Sequence, residues 1–146
     1  MIRPTHIEDF FSRYGWNISL ASPSVWNSGF LGNHGFYPLK ASLTDTFLAL
    51  EVCPLIEYAP NCDSCADPWD ERFLKAALQF NNDLQFVKLG LNIKGQLTLS
   101  CQIINIDLDY EKFSTVVGVL GYYCDELRSF FNNLLDASPQ KGRLQA

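Results

Sequence analysis

The residues best suited to chemistry are Cys62 and Cys65, which are separated by two residues. Thiolates at this spacing can share one tetrahedral zinc ion and would supply half of its ligands. The other half is not evident. Cys53 or His34 could approach in space, but no second cysteine pair exists in the sequence.

A thiol-redox function is the other chemical hypothesis for Cys62 and Cys65. The two cysteines precede a predicted helix instead of capping it, and the nearby Asp63 and Asp67 disfavour a thiolate. A surface loop with two unreactive thiols therefore remains the default interpretation. We predict no metal and no cofactor.

No arrangement typical of an enzyme is found elsewhere. His6 falls in the first turn of a predicted helix and His34 in a turn, and neither has a catalytic partner at a suitable spacing. Gly29, Gly32 and Gly35 are regularly spaced, but a phosphate-binding loop also requires a lysine and a strand-to-helix context. We therefore predict a protein that is not an enzyme.

The composition restricts the partners and the compartment. The chain has 146 residues, a hydrophobic fraction of 47% and a net charge of -5. The length and the hydrophobic fraction are typical of one folded domain. Because the phosphates of a nucleic acid repel a negatively charged domain, we expect no nucleic acid partner. No signal peptide or membrane span is visible, and the odd count of five cysteines favours reduced thiols in the cytoplasm. We expect one domain over residues 1–138 and a polar tail over 139–146.

The first elements are a helix and a strand. Thr5 and Glu8 predict a capping box, and Gly15 suits the end of the helix. Alternation from Trp16 to Leu20 then predicts the first strand.

The stretch from Ser22 to Gly35 is rich in Ser, Asn, Gly and Pro, which predicts a long loop. Trp26, Phe30 and Leu31 are its large apolar residues. They could fold over an open end of the sheet or form an exposed contact patch for a partner.

A second hairpin follows from the parity of its apolar residues. A turn centred on Thr44 and Asp45 would place Ala41 opposite Leu48, and Leu39 and Tyr37 opposite the next two apolar residues. Directly opposed residues share a face of the sheet, so this register brings the apolar sets together.

Asp67 and Pro68 predict the start of a second helix, with Asp67 as the N-cap. Phe73 belongs to its buried stripe, whereas Leu74 and Leu78 fall on a neighbouring flank. That flank could contact a partner or pack under the loop from Ser22 to Gly35.

The last elements are a hairpin and a long helix. Gly95 after Asn92 predicts a type I turn with a bulge that sets Leu91 opposite Leu97 and Leu89 opposite Leu99. A third helix is expected from about Tyr110 to Ala137, with Cys101 and Cys124 in the core. The fold class is therefore α+β, an antiparallel sheet with helices packed on it in the order α-β-β-β-α-β-β-α.

This order of elements resembles the type III secretion chaperone-like fold, including the YbjN-like family of small acidic proteins. The resemblance is carried mainly by residues 73–135, with the helix ending at Asn81-Asn82, the Gly95 turn and the helix from Phe113 to Leu127. It implies a small, often dimeric protein that binds a segment of another polypeptide. In such proteins the helix between the strand groups commonly contributes to dimer formation, a role that Leu74 and Leu78 would suit here.

Three functional hypotheses follow. The first is a non-enzymatic, chaperone-like module that binds a protein or peptide segment through Leu74, Leu78, Trp26, Phe30 and Leu31. Both a monomer and a homodimer stay open for this module. The second is a structural metal-binding or thiol-redox protein that uses Cys62 and Cys65. The third is a small-molecule-binding protein with a pocket lined by Trp26, Phe30 and Tyr37.

Overall fold

The computed structural model describes residues 2–57 and 69–136. Cys62, Cys65 and the expected tail over 139–146 lie outside these ranges, so the metal and redox hypotheses and the domain boundary stay predictions. The helices and strands of the described ranges are α1 Pro4–Tyr14, β1 Ile18–Ser22, β2 Val25–Gly32, β3 Gly35–Leu43, β4 Phe47–Val52, α2 Glu71–Asp83, β5 Lys88–Leu91, β6 Leu97–Ile104 and α3 Tyr110–Asp136.

The six strands form one antiparallel sheet in the order β1-β2-β3-β4-β6-β5. Helix α3 packs on β2 and β6, α1 packs against α3, and α2 packs beside β5. Inward strand residues such as Tyr37 and Leu50 meet α1 and α3 residues such as Phe11 and Phe113 in a continuous core. The α+β class and the predicted order of elements are confirmed, with one additional strand.

The additional strand is β2, so the prediction of a long loop from Ser22 to Gly35 is wrong. Backbone pairing to β1 on one side and β3 on the other outweighs the low strand propensity of its Asn, Ser and Gly residues. Gly29 has a specific role here, since a Cβ at this position would lie 2.2 Å from Cζ of Phe36. The glycine gives the Phe36 ring room to lie across β2.

The β3–β4 hairpin has the predicted parity but a register that differs by two residues. Ala41 pairs with Leu50, where Leu48 was predicted, and Leu39 pairs with Val52. The turn lies one residue later than predicted, because the Thr44 hydroxyl accepts from the N–H groups of Thr46 and Phe47. The amide of Asn105, distant in sequence, also donates to the carbonyls of Thr44 and Asp45.

The β5–β6 hairpin confirms its prediction. Leu91 pairs with Leu97 and Leu89 pairs with Leu99, and Gly95 has a φ of 78°. The hairpin contributes to the core, because it buries Val87, Leu89, Leu97 and Leu99. Among its paired leucines, Leu91 is the exposed one.

The helix starts differ from the predictions at two positions. Helix α1 begins at Pro4, and the Arg3 N–H donates to Nδ1 of His6 at 2.9 Å, so the Thr5 capping box is wrong. Helix α2 is capped by Asp70 instead of Asp67, and the Asp70 carboxylate accepts from the Phe73 N–H at 2.8 Å. Gly15 ends α1 with a φ of 93°, as predicted. None of the described helices is long and apolar enough to cross a membrane.

Candidate functional site

One exposed apolar surface lies between α2 and β5, and we call it the α2–β5 groove. Leu74 and Leu78 are 38% and 69% exposed and line it from the helix, and Leu91 is 45% exposed on the strand. The groove encloses about 290 Å³, and Phe73 and Leu97 contribute to its walls. The structure thus places both predicted leucines on one open surface, and they do not pack under the 22–35 segment.

Asn81 fixes the helix to the strand beside this groove. Its side-chain amide donates to the Leu89 carbonyl at 3.1 Å, and its oxygen accepts from the Leu89 N–H at 2.7 Å. Leu89 lies on the last strand of the described sheet, and no strand of residues 2–57 or 69–136 lies on its outer side to bond these backbone groups. A helix side chain therefore satisfies that edge position and sets the spacing of α2 from β5.

A second apolar surface is formed by Leu31 and Phe36, and we call it the Leu31–Phe36 surface. The two residues pair directly across β2 and β3 and are 81% and 56% exposed. They lie on the face of the sheet opposite Phe30 and Tyr37, which are buried. Leu31 is thus exposed, as the contact-patch alternative requires, and the sequence analysis did not identify the exposed Phe36 beside it.

Trp26 and Phe30 do not form part of an exposed patch, which corrects the prediction for these two residues. Trp26 is 1% exposed, and its indole N–H donates to Glu8 of α1 at 3.2 Å. The Phe30 ring is stacked between Trp16 and Tyr37, with centroids 4.4 Å and 5.2 Å away. Trp26, Phe30 and Tyr37 are all packed in the core, and they do not line the α2–β5 groove.

The turn between β2 and β3 is held by Asp125 of α3. The carboxylate accepts from the Asn33 N–H at 3.0 Å, the His34 N–H at 3.1 Å and the Tyr37 hydroxyl at 2.8 Å. Burial of Asp125 opposes its ionisation, but these three donors outweigh burial and lower its pKa below the ordinary value of 3.8. Burial and the bond to Asp125 raise the pKa of Tyr37, so the hydroxyl stays protonated and keeps donating.

Arg128, one turn further along α3, holds the same region. Its Nε donates to the Leu55 carbonyl at 2.7 Å, its Nη1 donates to the His34 carbonyl at 3.3 Å, and its guanidinium lies 3.9 Å from the Tyr37 ring centroid. The side chain is buried, and Nη2 has no hydrogen-bond partner in the described part of the chain. We call Asp125 and Arg128 together the α3 clasp.

The sequence analysis identified neither Asp125 nor Arg128. A signal for Arg128 was present. It stands four residues after Cys124 and three before Phe131, so it shares the buried stripe of α3. A buried arginine on such a stripe requires acceptors from elsewhere in the fold.

The described cysteines have the properties of core residues. Cys101 and Cys124 are buried, as predicted, and burial raises the pKa of Cys101 to about 12 and also raises the pKa of Cys124. Cys53 is half-buried, and burial raises its pKa as well. Within residues 2–57 and 69–136, no three His, Cys, Asp or Glu side chains come close enough to hold a metal ion.

Comparison with known proteins places this geometry in a structural class. No family model matches the sequence, and no curated protein matches it significantly. Three solved structures share the fold with a TM-score of 0.58–0.62. The chain is 17% identical to a chain of the HopA1–SchA chaperone–effector complex, with 86% of this chain and 91% of that chain covered.

The other two structures are complexes as well. The chain is 15% identical to a chain of the heterodimeric ExoU–SpcU complex from the type III secretion system of Pseudomonas aeruginosa, covering 84% of this chain and 95% of that one. It is 20% identical to a chain of the ExsC–ExsE complex, covering 92% and 95%. The chain has the type III secretion chaperone-like fold.

Proposed function

We propose that this protein is a non-enzymatic, chaperone-like module that binds a segment of another polypeptide. The observation that carries the proposal is the fold shared, over 84–92% of this chain, with chains of three protein complexes, of which HopA1–SchA is a chaperone–effector complex and ExoU–SpcU belongs to a type III secretion system. The net charge of -5 and the apolar surfaces favour a polypeptide over a nucleic acid. A cytoplasmic location and membership of the YbjN-like family belong to the same proposal.

The Leu31–Phe36 surface is the proposed contact for the bound segment. Both side chains are large, apolar and mostly exposed, and they pair with each other in the end of the β2–β3 hairpin, beyond the part that β1 and β4 flank. An apolar pair held in one register by its hairpin loses little conformational freedom when a partner covers it.

The α2–β5 groove is the proposed interface of a homodimer. Leu74, Leu78 and Leu91 expose apolar area around a cleft whose walls are almost entirely apolar. A second copy of α2 would cover the same residues on both chains, as a two-fold symmetric interface requires.

Titration with a diverse pool of synthetic peptides tests polypeptide binding. We expect a subset of apolar peptides to bind the wild type, with a Leu31→Ser variant binding the same peptides more weakly. Ile93→Ser is the matched control, because Ile93 is fully exposed in the β5–β6 turn and lines neither the α2–β5 groove nor the Leu31–Phe36 surface. Failure of every peptide to bind the wild type would count against the proposal.

The mass in solution tests the dimer separately. We expect analytical ultracentrifugation to find twice the chain mass of 16.5 kDa for the wild type and the single-chain mass for Leu78→Glu. Ile93→Glu, which adds the same charge elsewhere, should leave the dimer intact. A wild type that sediments as one chain at all concentrations would exclude the dimer without affecting the peptide result.

A further inference from the structure

The α3 clasp bonds the turn on both its donor and its acceptor side. Asn33 and His34 are the only residues between β2 and β3, and Asp125 accepts from both of their N–H groups. Arg128 donates to the His34 carbonyl. A two-residue hairpin turn can normally leave these groups to water, so two α3 side chains here replace the solvent.

The glycines on either side of the turn fit around the clasp. A Cβ on Gly32 would lie 2.6 Å from Oδ1 of Asp125, and a Cβ on Gly35 would lie 2.8 Å from Nη1 of Arg128. Both distances are below normal van der Waals contact, so any larger residue would displace a clasp side chain. The close approach of α3 to this turn therefore depends on both glycines.

The Leu31–Phe36 surface directly adjoins the clasped turn. Gly32 pairs with Gly35 as the last pair of the hairpin, and Leu31 pairs with Phe36 as the next one. Because successive side chains of a strand point to opposite faces, Tyr37 carries its hydroxyl to Asp125 while Phe36 points to the open face. A change in the turn is thus transmitted to Leu31 and Phe36 within one residue.

We infer that Asp125 and Arg128 are positioning residues for the Leu31–Phe36 surface, through which α3 controls a polypeptide contact on the opposite face of the sheet. This inference rests on the proposed function. With the clasp formed, Leu31 and Phe36 are held at one spacing. With the clasp broken, the end of the hairpin frays and the two side chains lose their common orientation.

Amide exchange and side-chain NMR of the full chain test the inference directly. In Asp125→Ala, exchange at Asn33 and His34 should accelerate about a hundredfold, as expected for the loss of about 2.8 kcal/mol of bonding. In the same variant, the NMR resonances of the Leu31 methyl groups and the Phe36 ring should shift. Asp125→Asn should give an intermediate result, since its carbonyl oxygen still accepts. Glu126→Gln, an equal charge change at an exposed neighbour, should change neither.

The second measurement is the affinity for the peptide of the pool that binds the wild type most tightly. We expect it to bind Asp125→Ala about fivefold more weakly, because the surface is no longer preorganised. Gly32→Ala, which displaces the carboxylate without removing it, should behave like Asp125→Ala and replaces that variant if it does not fold. Full affinity in a folded variant with accelerated exchange at Asn33 and His34 would overturn the inference, as would unchanged exchange.

The two proposals fail in different ways. If no peptide binds the wild type, the proposed function fails, and the Leu31 and Phe36 resonances alone decide whether the clasp positions this surface. If peptides bind and Leu31→Ser weakens them while the clasp variants do not, the proposed function stands and the positioning role is excluded.

Discussion

Two hairpin turns lie at the same end of the sheet and are held in opposite ways. The β5–β6 turn is closed by its own residues, since Asn92 Oδ1 accepts from the N–H groups of Lys94 and Gln96 at 3.0 Å and 2.9 Å. The Gly95 N–H also donates to the Asn92 carbonyl at 2.9 Å. The β2–β3 turn is held by residues of α3 that follow it by about 90 positions in the sequence.

The difference separates a turn that can form early from a turn that depends on the assembled fold. Local bonds close a short loop at low entropic cost, whereas the α3 clasp forms only once α3 has packed on β2. The β5–β6 turn can therefore form before α3 packs on the sheet, whereas the β2–β3 turn is held by the clasp only after α3 has packed. Substitutions in the two turns should therefore differ in the size of their effect on the free energy of unfolding, in the pH dependence of that effect and in their energetic coupling to other positions.

The largest effect is expected for Arg128→Met. The variant removes the donors to the Leu55 and His34 carbonyls and the contact with the Tyr37 ring, at a site where water cannot easily replace them. We expect a loss of about 3 kcal/mol in the free energy of unfolding, measured by urea denaturation. Lys94→Met, in the exposed β5–β6 turn, should change stability by no more than about 0.5 kcal/mol. Equal losses in the two variants would contradict the contrast between the turns.

The same contrast explains which features could be predicted from the sequence. The register of β5 and β6 follows from Asn92 and Gly95, whose turn chemistry lies within five residues. Strand β2 could not be predicted, because its Asn, Ser and Gly residues favour a loop unless two neighbouring strands pair with them. The two-residue error in the register of β3 and β4 has a similar origin, since Asn105 bonds that turn from far along the chain.

In the candidate site, too, the features set by local sequence could be predicted, and those that depend on distant parts of the chain could not. Leu74 and Leu78 could be assigned to an open flank, because helical periodicity alone separates them from the buried Phe73. Trp26 and Phe30 could not be assigned to the core, because their burial depends on β2 being a strand. The role of Asp125 depends on a turn that only the folded chain brings to it.

The second effect concerns Asp125→Asn and depends on pH. The folded-state pKa of Asp125 is lowered, so the carboxylate contributes stability that is fully present above the unfolded pKa of about 3.9 and is lost as the pH falls through the folded value. We expect the variant to be about 2 kcal/mol less stable than the wild type at pH 7. This difference should shrink as the pH falls from about 5 through the acidic range. A difference that stays constant between pH 7 and 3 would show that the charge of Asp125 is not involved.

The third effect concerns Asn92→Ala in the local turn. The variant loses the acceptor for two backbone amides and the bond to the Gln96 side chain, all in a partly exposed position. We expect a loss of about 1.5 kcal/mol that is the same at pH 7 and pH 4, because no titrating group is removed. Amide exchange should accelerate at Lys94 and Gln96 and stay unchanged at Asn33 and His34. Acceleration at both turns would mean that they open together.

The smallest and most discriminating effect is a coupling energy. Gly32→Ala should destabilise the wild type by displacing the Asp125 carboxylate, and it should destabilise Asp125→Ala less because only the Tyr37 ring, 2.8 Å from the added Cβ, still has to move. A double-mutant cycle measured by urea denaturation should therefore give a coupling of about 1 kcal/mol between the two positions. Gly95→Ala is the matched control. Its Cβ would contact nothing within 4 Å, so its cost comes from a φ of 78° that disfavours side chains.

Strand β4 lies between β3 and β6, so about 10 Å of sheet separate Gly95 from the clasp. The effects of Gly95→Ala and Asp125→Ala should therefore add, with a coupling near zero. Coupling of similar size in both cycles would mean that the two turns belong to one cooperative end of the sheet, and Asp125 would then act on the whole of that end. Coupling confined to Gly32 would show that α3 acts on the β2–β3 turn alone, because only there does a carboxylate occupy the space of a missing side chain.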